Sequence, residues 1–182
     1  MRSLALTVQV LLASPAVASD AALSAFSAHC FSPSLTAERA AQVLPPRHDF
    51  YDLAPFSDVP PSPGTDVTPG TDRRCAVAFD GDRGAEAARG AADALAGEGI
   101  TDAAPLPATH AGAALPGTTL LAARFLNPAR IAVVHVGTRT GAGGAETFLS
   151  VERLTPGASR AAGPETGPKT GPETEITTGA EP

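Results

Sequence analysis

The chain has no tryptophan, one tyrosine and one methionine among 182 residues, and aromatic residues make up 4% of it. Single-stranded nucleic acid is bound on aromatic stacking platforms, and this composition offers few. Lysine is almost absent as well, because Lys169 is the single one. The remaining positive charge is scattered arginine, and the formal net charge is −6. Nucleic acids and anionic membrane surfaces demand clustered Lys and Arg, so neither is an expected partner. Beyond the N-terminus no apolar run approaches the roughly 20 residues of a membrane span, so no stable membrane anchor is expected. There is no G-x-S-x-G elbow, no H-E-x-x-H and no C-x-x-C pair.

What is present begins with a leader. Met1 and Arg2 give a positive start, Ser3 to Ala13 is apolar, and Pro15 breaks the run. Ala16-Val17-Ala18 then supplies the small-x-small pattern of a signal-peptidase site. Residues 1–18 therefore read as a secretory signal, and the location expected is periplasmic or secreted after cleavage near Ala18. Cleavage leaves 182 − 18 = 164 residues and a charge of −6 − 1 = −7, since Arg2 is lost. That length suits one domain with appendages. Two cysteines remain, Cys30 and Cys75. In an oxidising compartment an even count points to a bridge.

The mature chain divides by composition. Asp20 to Phe31 is expected to be helical, with Asp20 as cap and Leu23, Phe26 and Cys30 on one face. A short helix is expected from Ala37 to about Leu44, capped by Thr36 and stopped by Pro45-Pro46. Pro45 to Arg74 is dense in proline, with Pro63-Gly64-Thr65-Asp66 recurring as Pro69-Gly70-Thr71-Asp72. It reads as a long surface loop, most marked over 57–74. Cys75 to Phe79 reads as a strand. Asp80-Gly81 reads as a turn, and Asp82 as the cap of an alanine-rich helix from Arg83 to about Ala96. Thr118 to Leu126, Ile131 to about Arg139 and Glu146 to Leu154 then form a three-stranded meander. In the last of these, Phe148, Ser150 and Glu152 alternate against Thr147, Leu149 and Val151, so the sheet has two different faces. The fold class expected is α+β: helices on a small, mainly antiparallel sheet, in one domain over 19–154, with one disulfide. The Gly-Pro-x-Thr repeat leads us to read 155–182 as a disordered tail.

Four sets of residues carry possible chemistry. Val77-Ala78-Phe79-Asp80-Gly81-Asp82 resembles the nucleophile loop of haloacid-dehalogenase-type phosphatases. The resemblance implies Asp80 as nucleophile and Asp82 as general acid/base. Arg83 replaces the usual Thr or Val, and the family's charge-neutralising lysine has no counterpart in the globular part. The simpler reading makes Asp80 a turn residue and Asp82 a helix cap. As a calcium loop the pair lacks the further oxygen ligands. His29, His48, His110 and His135 show no helical metal spacing, so no metal is expected; His135 is expected on the less buried sheet face. Gly137 to Gly144 lacks the lysine of a phosphate loop and is followed by a strand, so it reads as a hairpin turn, with Arg139 exposed beside it.

Phe26-Ser27-Ala28-His29-Cys30-Phe31, Cys75-Ala76-Val77 and the run from Leu126 to Val136 resemble small exported proteins of unknown function from alphaproteobacteria related to Rhodobacter. The resemblance spans roughly Ala21 to Leu154 and implies a periplasmic location. Without a convergent catalytic set, the expectation is a non-catalytic binding or accessory domain without cofactor, with a protein or small-molecule partner. The alternatives are a small hydrolase using Asp80 and Asp82 or a histidine, and a thiol-redox protein using Cys30 and Cys75.

Overall fold

The structure is a computed structural model that describes residues 15–56, 58–64 and 66–163, without the side chains of 15 and 16. The apolar run of the expected signal and the tail from Pro164 onward lie outside the described residues. The first helix, α1, covers Pro15–Ala25 and continues as a π-helical turn over Phe26–Cys30. Proline is tolerated in a first helical turn, and the described part of this helix begins at Pro15. Ala22, Phe26 and Cys30, four apart, form its buried stripe. Asp20 is not a cap; its carboxylate accepts a hydrogen bond from Arg83 at 2.6 Å. Helix α2 spans Ala37–Val43, and the Thr36 hydroxyl accepts from the Arg39 amide, as its sequence predicts.

Strand β1, His48–Asp52, lies within the segment read as a loop. It is a short edge strand between prolines, and edge strands tolerate such neighbours. Tyr51 anchors it: the ring is fully buried, and its hydroxyl meets the Thr71 hydroxyl at 2.6 Å. The two Pro-Gly-Thr-Asp copies have separate fates. Gly64 packs against the Tyr51 ring, where a Cβ would come within 2.8 Å. Gly70, at φ +80°, turns the chain into β2, Thr71–Asp80. Helix α3, Gly84–Gly97, follows, and then β3, Ala103–Ala104, and α4, Ala108–Ala111. Strands β4, Thr118–Asn127, β5, Arg130–Gly141, and β6, Gly144–Leu154, form the meander. Helix α5, Pro156–Ala162, replaces the start of the tail expected to be disordered. Thr155 caps it, with its hydroxyl accepting from the Ala158 amide, and Pro156 stands where a helix needs no amide hydrogen.

The fold is α+β. One open six-stranded sheet has the order β1-β2-β6-β5-β4-β3, and every neighbouring pair is antiparallel. On one face Cys75, Val77, Val134, Val136 and Leu149 pack under α1, its π-turn and α3. The Cys30–Cys75 disulfide joins that turn to β2. On the other face a smaller cluster of Ala123, Ile131, Val133 and Leu154 packs against Leu106 and against Ala158 and Ala162 of α5. Among the described residues the rest of this face carries only the single-turn helix α4, whose His110 reaches Glu152 of β6.

Gly117 marks a tight approach between β4 and β5. Its φ is +86°, and a Cβ there would lie 2.2 Å from the Thr138 carbonyl oxygen. Gly117→Ala is expected to lower stability by at least about 2 kcal/mol, from backbone strain added to backbone contact. Gly157→Ala in α5, with nothing within 4 Å and no positive φ, is the matched control. Urea midpoints for the two variants check this, and equal midpoints would contradict the close approach.

Candidate functional site

The half of this face outside that cluster forms the floor of a groove of about 770 Å³. Side chains alternate across a strand, so β2, β6 and β5 present Arg74, Ala76, Glu152, Ser150, Phe148, Val133 and His135 to it. One wall is the start of β1 with Arg47 and His48, and the other is α4 and the segment to Leu115. Phe148, Ser150 and Glu152 lie on this face, and Leu149 and Val151 on the other, the two-faced sheet that the alternation predicts.

Glu152 is the most constrained charge in the groove, 8% exposed. Its carboxylate meets His110 Nε2 at 3.1 Å, Arg74 Nη1 at 3.3 Å and the Thr68 hydroxyl at 3.2 Å. Burial by itself pushes the carboxyl up. The His110 hydrogen bond, the Arg74 charge and the Thr68 hydroxyl together outweigh it and hold Glu152 below its ordinary value. His110 has both ring nitrogens engaged, with Nδ1 at 3.1 Å from the Thr109 hydroxyl. It therefore acts as a clamp on Glu152.

His135 lies in mid-groove, as expected for the less buried face, with Nε2 at 2.9 Å from the Thr118 hydroxyl. Its ring meets Phe148 edge-on, with centroids 4.9 Å apart. Burial lowers its pKa, and the Arg74 and His110 charges add to this against the pull of Glu152. Arg139 closes the end of the groove. Its guanidinium sits 5.4 Å from the Phe148 ring centre and donates from Nε to Glu146 at 2.7 Å. Its side chain is half-exposed, as the hairpin reading implies.

Asp80 and Asp82 do not converge. Asp80 is exposed and pairs with Arg47 at 2.8 Å, and Arg47 also holds Glu146 at 3.0 Å. Asp82 is not the cap of α3. It precedes the cap residue Arg83, and its carboxylate accepts from the Thr138 hydroxyl at 2.7 Å. The helix start is satisfied from β6 instead, where the Thr147 hydroxyl accepts from the Arg83 amide at 2.9 Å. Ser150 lies beside His135 on the neighbouring strand, but its hydroxyl donates to the His135 carbonyl oxygen and not to the ring. His48 bonds the Pro45 carbonyl oxygen through Nδ1. Among the described residues no group of three or more His, Cys, Asp or Glu side chains could hold a metal. Both cysteines are buried in their disulfide. Such a bond fits a non-cytoplasmic protein. Among the described residues no helix is long and apolar enough to cross a membrane.

Sequence reading missed Arg74, Glu152, His110 and Glu146 as a set. Only the alternation along β6 pointed to Glu152, and its partners come from β2 and α4. No family model, curated protein or solved structure matches this chain.

Acid sensitivity follows from the groove. Glu152 is lowered from 4.5 and His135 from 6.5, so the unfolded chain binds more protons through both windows. The stability due to His135 is present above its unfolded value and lost as pH falls through the lower folded one. The contribution of Glu152 is lost in the same way at more acid pH. His135→Gln is therefore expected to flatten the loss of stability as pH falls below the ordinary histidine value of 6.5 and to leave the loss at more acid pH, due to Glu152, in place. Chemical unfolding across that range tests it; an unchanged slope would remove His135 as the source.

Proposed function

We propose that this is an exported periplasmic domain that binds a small ligand on the groove-bearing half of its sheet and does not turn it over. The single observation carrying this reading is the groove, whose volume lies within the range of small-molecule sites. Its apolar floor at Leu121, Val133 and Phe148 lies beside fixed polar groups at Arg74, His110 and His135. This is the mixture that binding sites use for affinity and orientation. Among the described residues no nucleophile in the groove is hydrogen-bonded to a free base, which supports binding over turnover. Ser150 bonds to backbone, His110 is saturated, and Asp80 is held by Arg47.

Export is supported by the leader pattern and the disulfide, and the resemblance to small exported alphaproteobacterial proteins points the same way. Cleavage after Ala18 would leave Ser19 first. That residue is buried, and its hydroxyl lies 3.4 Å from the Asp80 carbonyl oxygen, so α1 would stay docked from its first residue.

Native mass spectrometry of protein recovered from the periplasm tests the reading. The expected result is a chain beginning at Ser19 with a small molecule that denaturation releases. Leu121→Trp, which fills the groove, should abolish retention, and Arg139→Ala should weaken it without loss of fold. A bare protein whose groove resonances ignore a metabolite extract would overturn the proposal. Phosphoester turnover abolished by Asp80→Asn at an unchanged melting temperature would replace it with the hydrolase reading.

A further inference from the structure

A second groove, of about 630 Å³, opens on the helix-bearing side of the sheet. It lies where β2 and β5 begin and β4 and β6 end, beside the disulfide. The sequence of α3 explains it. Apart from Leu95, the buried apolar side chains of this helix are alanines, and it stops at Gly97, with Gly99 at φ +73° turning the chain so that Ile100 lines the groove.

The groove combines two chemistries. Phe31, Ile100 and Leu126 supply apolar wall, and Phe56 stands at the rim with 85% of its surface exposed. Arg73, Arg130 and Arg153 also line it. They face two buried carboxylates, Asp52 and Asp72, so one positive charge is left over in this cluster. Glu98 at the rim is exposed to water.

The surplus is located on Arg130. Arg73 is spent on Asp52 and on the carbonyl oxygens of Ser32 and Pro33. Arg153 is spent on Asp72, Asp52 and the Ala54 carbonyl oxygen. Arg130 gives Nη2 to Asp72; its Nη1 has no hydrogen-bond partner among the described residues, and its Nε is buried without one. A guanidinium is a five-donor fork suited to a carboxylate, and this one is only partly used.

We propose that this groove binds a single-chain amphiphile with a carboxylate head, of the fatty-acid class. The head sits on Arg130, and the tail runs along Phe31, Ile100 and Leu126 and covers Phe56. The site lies on the opposite side of the sheet from the first groove, so the two readings stand or fall separately.

Calorimetric titration with dodecanoate, against dodecanol as the uncharged equivalent, tests this. Dodecanoate is expected to bind one-to-one and at least about tenfold more tightly than dodecanol, the margin of a charge-assisted hydrogen bond. Arg130→Gln should remove that preference. Phe56→Ser, at an exposed position that leaves the fold intact, should weaken both ligands alike. Arg139→Ala, in the other groove, should change neither. Equal affinity for the two ligands, no saturable binding, or dodecanoate binding unaffected by Phe56→Ser would each overturn the proposal. If Arg130→Gln fails to fold, the ligand comparison on the native protein and Phe56→Ser still decide it.

Discussion

Removing the Cys30–Cys75 bridge is expected to cost about 4 kcal/mol, on the chain-entropy model for the 45-residue separation. The enclosed loop explains why the native contacts do not replace that restraint. It holds α2, β1 and the proline-rich stretch that returns to β2. Its fully or largely buried apolar anchors are Leu35, Ala40, Leu44 and Tyr51. The bridge ties this loop to the main core at its two ends, where both cysteines are buried among Phe26 and Val77. For a chain of this size the loss corresponds to a fall in melting temperature of roughly 8 to 16 °C. Cys30→Ser/Cys75→Ser, compared with wild type by thermal unfolding without reductant, measures it. A fall below about 3 °C would mean that the loop is held by its own contacts. The same protein distinguishes a structural bridge from a cycling pair. Buried sulfurs should resist reduction until the fold opens, so folded wild type should take up no alkylating reagent in a glutathione buffer.

Local patterns made much of this architecture legible. The period-2 alternation from Thr147 to Glu152 identified β6 and its two faces, and Thr36 with Pro45 bounded α2. The even cysteine count, in a chain whose leader pattern reads as a secretory signal, pointed to the bridge. What stayed hidden was set by distant partners. β1 reads as loop because a short strand between prolines has little local signal, and its stability comes from Tyr51 meeting Thr71 across the sheet. α5 is masked by Pro156 and Gly157, which look like punctuation; its helix depends on the Thr155 cap and on Ala158 and Ala162 reaching β5 and β6. Asp82 fits a cap by position, but Gly81, at φ +109°, swings the chain so that Thr147 satisfies the helix start. The groove was least legible, since pairing Arg74 with Glu152 requires knowing that β2 lies beside β6. Sequence adjacency instead drew attention to Asp80 and Asp82, which point to different partners.

Asp52→Asn is expected to destabilise the protein by about 3–5 kcal/mol, because it breaks a buried ion network from one side. Asp52 is 3% exposed and Arg73 is 6% exposed. The carboxylate takes Arg73 at 2.9 Å on one oxygen and Arg153 at 2.8 Å on the other. Burial lowers the pKa of Arg73, and the Asp52 charge opposes that shift while Arg153 adds to it. Asparagine keeps the shape and one acceptor but removes the charge, so Arg73 is left without a carboxylate partner, and Arg153 and Arg130 share Asp72. The cost lies in that uncompensated charge and not in the net worth of the pair. Replacing both partners, as in Asp52→Leu/Arg73→Met, should therefore recover much of the loss, since an apolar pair needs no desolvation. Asp49→Asn supplies the surface comparison: its partner Arg74 lies at 3.2 Å, its own side chain is 40% exposed, and such pairs contribute about 1 kcal/mol or less. Urea unfolding of the four proteins should rank wild type and Asp49→Asn together, the double variant between, and Asp52→Asn lowest. An Asp52→Asn midpoint within error of wild type would mean that water reaches the arginines freely enough to compensate the lost charge, and the network would then not count as buried.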